Sequence, residues 1–293
     1  MSKRFFLSVL ILALAFLMLQ NNSRAEDNIT VDNTTELFTE EEYPSDMDTL
    51  EEFIQSYYLL LESNEYLKQF KFINPEKNYI SGDKKALQSF YEKLLELRSG
   101  LRDRVTIYQI GDSHIQSGYF SGTARTSLQK YFGNSGRGLI FPLRLAGTNQ
   151  PDDYRITASG AFSRSNSERG LSGYALNANN GMCLEITTNN FFKGDNSFNT
   201  VSMITAMPGL KPKIDLAEKN IKEYSIKAGN YFYSRVSWDK AVTKIKLTLA
   251  GEPSTLFGIS LENNQPGLLY HSCGINGASF YNLTAQSTLF EQI

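Results

Sequence analysis

Histidine is almost missing from this chain: its 293 residues include only His114 and His271. A hydroxyl or thiol nucleophile usually needs a neighbour to take its proton, so such chemistry has few bases to draw on here. Cysteine is equally scarce, with Cys183 and Cys273 alone. No His/Cys cluster can hold a metal, and nothing places the two thiols side by side, so both are expected to be unpaired and buried. An excess of positive charge is lacking too. Lys and Arg number 29 against 31 Asp and Glu, for a net charge of -2, which argues against a nucleic-acid partner. The glycine-rich stretch Gly133-Asn134-Ser135-Gly136-Arg137-Gly138 lacks the Lys-Ser/Thr ending of a phosphate loop and does not follow a strand. It reads as a flexible connection with close backbone approaches, and no cofactor is expected.

What is present suits a globular protein, with 41% hydrophobic and 12% aromatic residues. Residues 1–25 read as a secretory signal. Lys3 and Arg4 precede an apolar run, Phe5 to Leu19, that is short for a membrane span, and Ser23-Arg24-Ala25 offers small residues for cleavage. Export to a periplasm or cell surface is expected, with no stable membrane span after cleavage. No cysteine follows the run to carry a lipid. Residues 26–52 contain Glu40-Glu41-Glu42 and neither Lys nor Arg, so like charges repel and a flexible arm is expected.

Helical spacing returns at Leu50 to Phe70, and again at Ala86 to Leu97, where Leu87, Phe90, Leu94 and Leu97 share a face. Asp83 is a candidate cap for this second helix and Gly100 a candidate stop. Val105 to Ile110 reads as a strand. It runs into Gly111-Asp112-Ser113, and Ile115 to Phe132 reads as one helix carrying Phe120, Ala124, Leu128 and Phe132. From Tyr154 to Leu261, short alternating runs separated by Gly, Asn, Asp and Pro predict a β-sandwich, with a jelly roll as its leading form. Leu268 to Ser272 returns to a buried strand, and a further helix is expected over 283–293.

A strand-turn-helix order places Ser113 at the end of a sheet, with helix amides directed at its oxygen. Ser113 is therefore the candidate nucleophile. Its own amide and that of Gly277 are candidate oxyanion donors, since a side chain at 277 would block approach to the backbone. Asp112 reads as a turn residue. His114 adjoins Ser113, where side chains diverge, and is not expected to serve as its base. His271 reads as structural. In the β-module, Trp238, Tyr231 and Tyr233 could stack on sugars but read first as core, and Tyr174 with Asn177 to Asn180 could form a sugar-facing loop. Arg137 could face a ligand.

Ile110-Gly111-Asp112-Ser113-His114 resembles the first motif of the SGNH (GDSL-like) hydrolases, and Gly274-Ile275-Asn276-Gly277 resembles their second. Together with Gly118-Tyr119, the Gly133–Gly138 loop and Thr148-Asn149, the pattern is similar to exported bacterial members such as peptidoglycan O-acetylesterases. The resemblance covers roughly residues 80–293 and implies Ser113 as nucleophile and Gly277 as an oxyanion-hole donor. It implies a partial SGNH, flavodoxin-like three-layer α/β domain, 53–149 and 263–293, interrupted by a jelly-roll-like, carbohydrate-binding-like sandwich at 150–262. The family's third motif and its last, Asp-x-x-His, have no match after Gly277. The base is therefore expected to lie outside these residues, or on a companion chain. Two functions are expected: an esterase removing O-acetyl groups from peptidoglycan or another polysaccharide, inactive without its base, or a non-catalytic glycan-binding surface protein.

Overall fold

The computed structural model describes residues 69–72, 74, 84–206, 210–215 and 220–279. The expected signal sequence, the acidic arm, Asp83, nearly all of the 50–70 pattern and the helix at 283–293 lie outside the described residues. The chain divides into two compact units, Met1–Leu95 and Glu96–Ile293. A 3-10 turn at Lys84–Leu87 leads into helix α1, Gln88–Arg98. It ends as its sequence predicts: Leu101 donates to Glu96 O at 2.9 Å and Gly100 to Leu97 O at 3.2 Å, a Schellman motif closed by glycine. No helix among the described residues is long and apolar enough to cross a membrane.

The second unit opens with strand β1, Arg104–Gly111. It is followed by the single-turn helix α2, Ser113–Gln116, and by α3, Tyr119–Phe132. The expected continuous helix is thus broken. Gly118, with φ of 86°, caps α3 and turns the chain between them. The buried face of α3 also differs from the expected one. Ser121, Arg125 and Gln129 are buried, whereas Phe120 stays 63% exposed. The spacing of four is helical, but the stripe is polar, so apolar periodicity passes over it.

Eleven further strands of the described residues follow the short β2, Gly138–Ile140. They are β3 Tyr154–Ser159, β4 Phe162–Arg164, β5 Leu176–Ala178, β6 Cys183–Thr188, β7 Phe198–Thr205 and β8 Lys211–Ile214. Then come β9 Lys222–Ala228, β10 Tyr231–Val242, β11 Lys244–Ala250 and β12 Ser254–Glu262. The last described strand is β13, Gly267–Gly274. β1 and β13 form a parallel pair, in register from Arg104↔Gly267 to Gly111↔Gly274. The rest build two antiparallel sheets, ordered β4-β5-β12-β7-β10-β9, with β2 also on β12, and β3-β6-β11-β8. The fold is therefore mixed α/β: one parallel pair and two antiparallel sheets.

Alternation along the strands explains the packing. Ile156, Leu184, Ile186 and Leu247 of the smaller sheet meet Val201, Met203, Val236 and Ile259 of the larger in one core. Leu139, Ile204, Tyr231 and Phe257 of the larger sheet form a second core with Cys273 of β13, against which Tyr108 and Ile110 of β1 pack. Trp238 lies in the first core, as expected, and donates its indole N–H to Lys240 O at 2.8 Å. Asn179 and Asn180 are tied to backbone at Ala161 and Gly251, and Asn177 donates to Ser163 Oγ, so these asparagines brace turns and strands. Cys183 and Cys273 are both free, the first half-buried and the second buried.

The glycine-rich loop makes the close backbone approaches expected of its glycines, but it is packed into the interior and not a flexible connection. Residues 135–138 are buried, and a Cβ at Gly138 would sit 2.3 Å from Tyr270 O. Arg137 faces no ligand. Its Nη2 and Nε bond Asp153 Oδ1 and Oδ2 at 2.9 and 3.0 Å, and its Nη1 bonds Leu139 O at 2.8 Å. Arg125 of α3 donates to the same carboxylate at 2.8 Å and to Asn196 Oδ1 at 2.7 Å. Burial brings the Arg125 pKa down to about 10. Burial also pulls on Arg137, but the Asp153 contacts outweigh it and hold that pKa above the ordinary value.

Removing Asp153 would leave two buried guanidinium groups facing each other without an anion. Asp153→Ala is expected to destabilise the fold by about 3–5 kcal/mol, measured by urea denaturation. A loss within 1 kcal/mol, taken as roughly the size of a surface ion pair, would contradict this reading.

Candidate active site

The site is assembled at the carboxyl ends of β1 and β13. β1 stops at Gly111, and Asp112 takes an extended conformation with φ of -91°. The Asp112 carboxylate accepts the His114 N–H at 3.0 Å and caps α2. These bonds, first the backbone N–H and then the His114 ring, hold the Asp112 pKa below its usual value. Ser113 is the first residue of α2, so its N–H belongs to the turn of amides that has no partner within the helix. Among the described residues its Oγ has no hydrogen-bond partner, and the side chain is half-buried.

Beside it, β13 continues into a tight turn. Ile275 N–H donates to Gly111 O at 3.0 Å, which carries the parallel ladder one step past both strands. Ala278 N–H then donates to Ile275 O at 3.0 Å, with Gly277 at φ of 75°, the position where this type of turn requires glycine. Nothing lies within 4 Å of where a Gly277 Cβ would stand. Glycine is needed there for conformation, and crowding within the fold is not the reason. The Gly277 N–H has no acceptor among the described residues.

Gln116 joins the two turns, and the motif reading did not single it out. Its Oε1 accepts the Asn276 N–H at 2.5 Å, while its Nε2 donates to Thr148 Oγ1 at 3.0 Å and Asn149 O at 2.8 Å. It is only 4% exposed. Gly274 lets α2 come this close, since a Cβ there would stand 2.0 Å from Gln116 N. The only signal in the sequence was a lone amide three residues after the candidate nucleophile. A cavity of about 20 Å³, lined in part by Gln116, Ser172, Ser272 and Gly274, has room for one water and none for a substrate.

Neither histidine is seated beside Ser113. His114 is exposed, and its Nδ1 lies 3.1 Å from Asp112 Oδ1. His271 is buried within β13 and stacks on Tyr108, with ring centres 4.4 Å apart. Its Nδ1 accepts the Leu139 N–H at 2.9 Å, so the neutral ring carries its proton on Nε2. Burial, reinforced by the nearby Arg137 and Arg104 charges, lowers its pKa to about 3. The ring is a structural acceptor. No group of three or more His, Cys, Asp or Glu that could hold a metal occurs among the described residues.

Two predictions follow from these contacts. Between pH 6.5 and about 3 the unfolded chain protonates His271 and the folded chain does not, so acid favours unfolding. Stability should fall by up to about 1.4 kcal/mol per pH unit from this group. His271→Gln, which keeps an acceptor for Leu139, should flatten the stability–pH curve in that window. An unchanged curve would show that His271 charges freely in the fold. Gln116→Leu strips the acceptor from Asn276 N–H. It should cost about 1–3 kcal/mol and speed amide hydrogen exchange at Asn276, and protection equal to wild type would contradict the bridge.

No family model matches the chain, and no curated protein matches it. Among solved structures, a peptidoglycan O-acetylesterase is similar, with a TM-score of 0.46 and 24% sequence identity. The likeness covers 66% of this chain and 53% of that one, so the chain spans about half the length of the structure it resembles.

Proposed function

We propose that this chain carries the nucleophile and oxyanion side of an exported SGNH-type serine esterase that removes acyl groups, acetyl first among them, from a cell-wall or other polysaccharide. The reading takes the parallel pair and its helices as a partial three-layer α/β domain. The antiparallel sheets then form a jelly-roll-like module set into it at 150–262, and the signal-like pattern of residues 1–25 accounts for export.

The observation that carries the proposal is the joining of two turns at one sheet end. β1 and β13 finish in register at Gly111 and Gly274, and Gln116 bonds the amide next to Gly277. Ser113 Oγ is thereby free on the rim that bears two uncommitted amides, its own and that of Gly277. In such a site the hydroxyl attacks the ester carbonyl, and the amides stabilise the oxyanion. The alcohol leaves, and an acyl-serine remains for water to cleave. Both the attack and the cleavage need a proton acceptor. His114 is turned to Asp112 and His271 to Leu139, so a base for Ser113 must come from other residues or from a companion chain.

The absence of a partner for Ser113 Oγ among the described residues also favours a second reading, a glycan-binding surface protein without catalysis. One experiment separates them. The chain alone is treated with excess p-nitrophenyl acetate, and its peptides are weighed by mass spectrometry. On the esterase reading, Ser113 acylates slowly, the acyl group persists, and steady turnover stays negligible. Replacing Gly277 with its α-hydroxy acid analogue, which turns that N–H into an ester oxygen and keeps the φ of 75°, should slow acylation on the order of 10²-fold. Acetyl on lysines alone, with Ser113 unmodified, would leave the binding reading standing. Rapid turnover abolished by Ser113→Ala would show that the chain supplies its own base.

A further inference from the structure

An exposed aromatic cluster lies along the frame that holds Ser113. Tyr119, the first residue of α3, is 60% exposed, and Phe191, in the loop between β6 and β7, is 51% exposed. Their ring centres are 6.0 Å apart at an interplanar angle of 82°. Phe192 sits edge-on to both, at 5.9 Å from Tyr119 and 5.0 Å from Phe191.

The cluster is held in place by its surroundings. Phe192 occupies a notch cut by two glycines of α3. A Cβ at Gly122 would stand 2.4 Å from its ring, and one at Gly118 would stand 3.2 Å away. The loop closes on a tight turn, with Lys193 N–H bonded to Asn190 O at 2.7 Å and Lys193 itself at φ of 59°. A non-glycine residue in that region is strained unless the surrounding fold enforces it. The enforcement is visible. Asn189 donates to Asp152 O at 2.7 Å and accepts the Phe191 N–H at 2.8 Å, and Asn196, fixed by Arg125, donates to Asn189 O at 2.6 Å. Wedging the half-buried Phe192 into this notch props Phe191 and Tyr119 outward, against the tendency of aromatic rings to leave water.

We propose that Tyr119 and Phe191 form a preorganised platform that binds a polysaccharide and leads its chain to Ser113. This deepens the function proposed above and rests on its glycan substrate. The chemistry selects the occupant. Aromatic faces take up the apolar faces of pyranose rings, while polar groups at their edges bond the hydroxyls. Here the edge carries Asp152, whose Oδ2 takes the Tyr119 hydroxyl at 3.3 Å, and the exposed Asn190. Asp152 and Asp195 outnumber Lys193, a balance that repels an anionic lipid surface. Position selects it as well. The segment from Thr148 to Asp152 bonds Gln116 at one end and Tyr119 at the other, so platform and nucleophile share one frame. A rigid platform binds without first ordering its own side chains, which favours affinity.

The test uses the whole 293-residue chain and insoluble peptidoglycan sacculi, with bound protein measured by sedimentation. Tyr119→Ala and Phe191→Ala should each weaken retention about ten-fold or more, and Tyr119→Phe, which keeps the ring, should bind like wild type. Tyr224→Ala removes an equally exposed aromatic on β9 and should change nothing. Equal retention of both alanine variants overturns the platform. So does failure of wild type to sediment with sacculi, or preferential binding to phosphatidylglycerol vesicles. Acylation of Ser113 by p-nitrophenyl acetate reports separately on the chemistry. Labelling without retention sinks the platform alone, and retention without labelling sinks the esterase alone.

Discussion

One carboxylate, Asp153, bridges two buried guanidinium groups, and the elements around the candidate site meet at that pairing. Arg125 comes from α3, Arg137 from the loop that enters β2, and Asp153 from the approach to β3, all essentially withdrawn from water. The charges do not balance, and one positive charge remains. Neutral acceptors surround it: Gln129 Oε1, Asn196 Oδ1 and Leu139 O, with the Tyr154 ring 4.8 Å from the Arg137 guanidinium carbon. Buried ions are tolerated when nearly all of their polar atoms are bonded in this way; of this trio's side-chain nitrogens and oxygens only Arg125 Nε has no partner among the described residues. The consequence is geometric. The helix after Ser113, the glycine-rich loop and the first strand of the antiparallel sheets can meet in only one arrangement.

That arrangement reaches the candidate site through hydrogen bonds. Gln129, next to Arg125 on the polar stripe of α3, donates to Gly136 O at 2.7 Å and to Leu268 O at 2.9 Å, locking β13 beside the helix. Burial is the first reason that His271 stays uncharged, and the surplus positive charge adds to it, since a second cation nearby would be repelled. The ring therefore stays neutral and serves as an acceptor for Leu139. With β13 set in this way, its end reaches Gly274, where α2 packs against bare backbone and Gln116 bonds the next turn. A buried polar network here does what an apolar core does in most domains: it sets the register between elements.

At the candidate site Ser113 Oγ has no proton acceptor beside it among the described residues. Strand, turn and helix present Ser113, and the amides of Ser113 and Gly277 are uncommitted. The histidine adjacent in sequence is drawn away by the carboxylate that caps α2. Asp112 thus shapes the turn and holds the exposed His114 ring beside itself, which fits its place as a turn residue.

Much of this was legible in residues alone, because the relevant forces are local. Short runs between turn residues foretold a series of strands from Tyr154 to Leu261, which is where β3 and β6 to β12 lie. Gly111-Asp112-Ser113 marked the turn because it stands between a strand pattern and a helix pattern. β2, β4 and β5 were missed, being three residues each, too short to show a period. The buried face of α3 was misjudged because Ser121, Arg125 and Gln129 read as solvent-facing until their partners, distant in sequence, are known. The glycine-rich loop was mistaken for a flexible connection for the same reason: its glycines answer to backbone from β12 and β13. Sequence by itself determined where the longer strands run, where β1 gives way to a helix, and which hydroxyl stands at the sheet end. Tertiary structure alone decided what is buried among the polar residues, which imidazole is kept neutral, and which aromatics face water, because each depends on a charge or hydrogen-bond partner far along the chain.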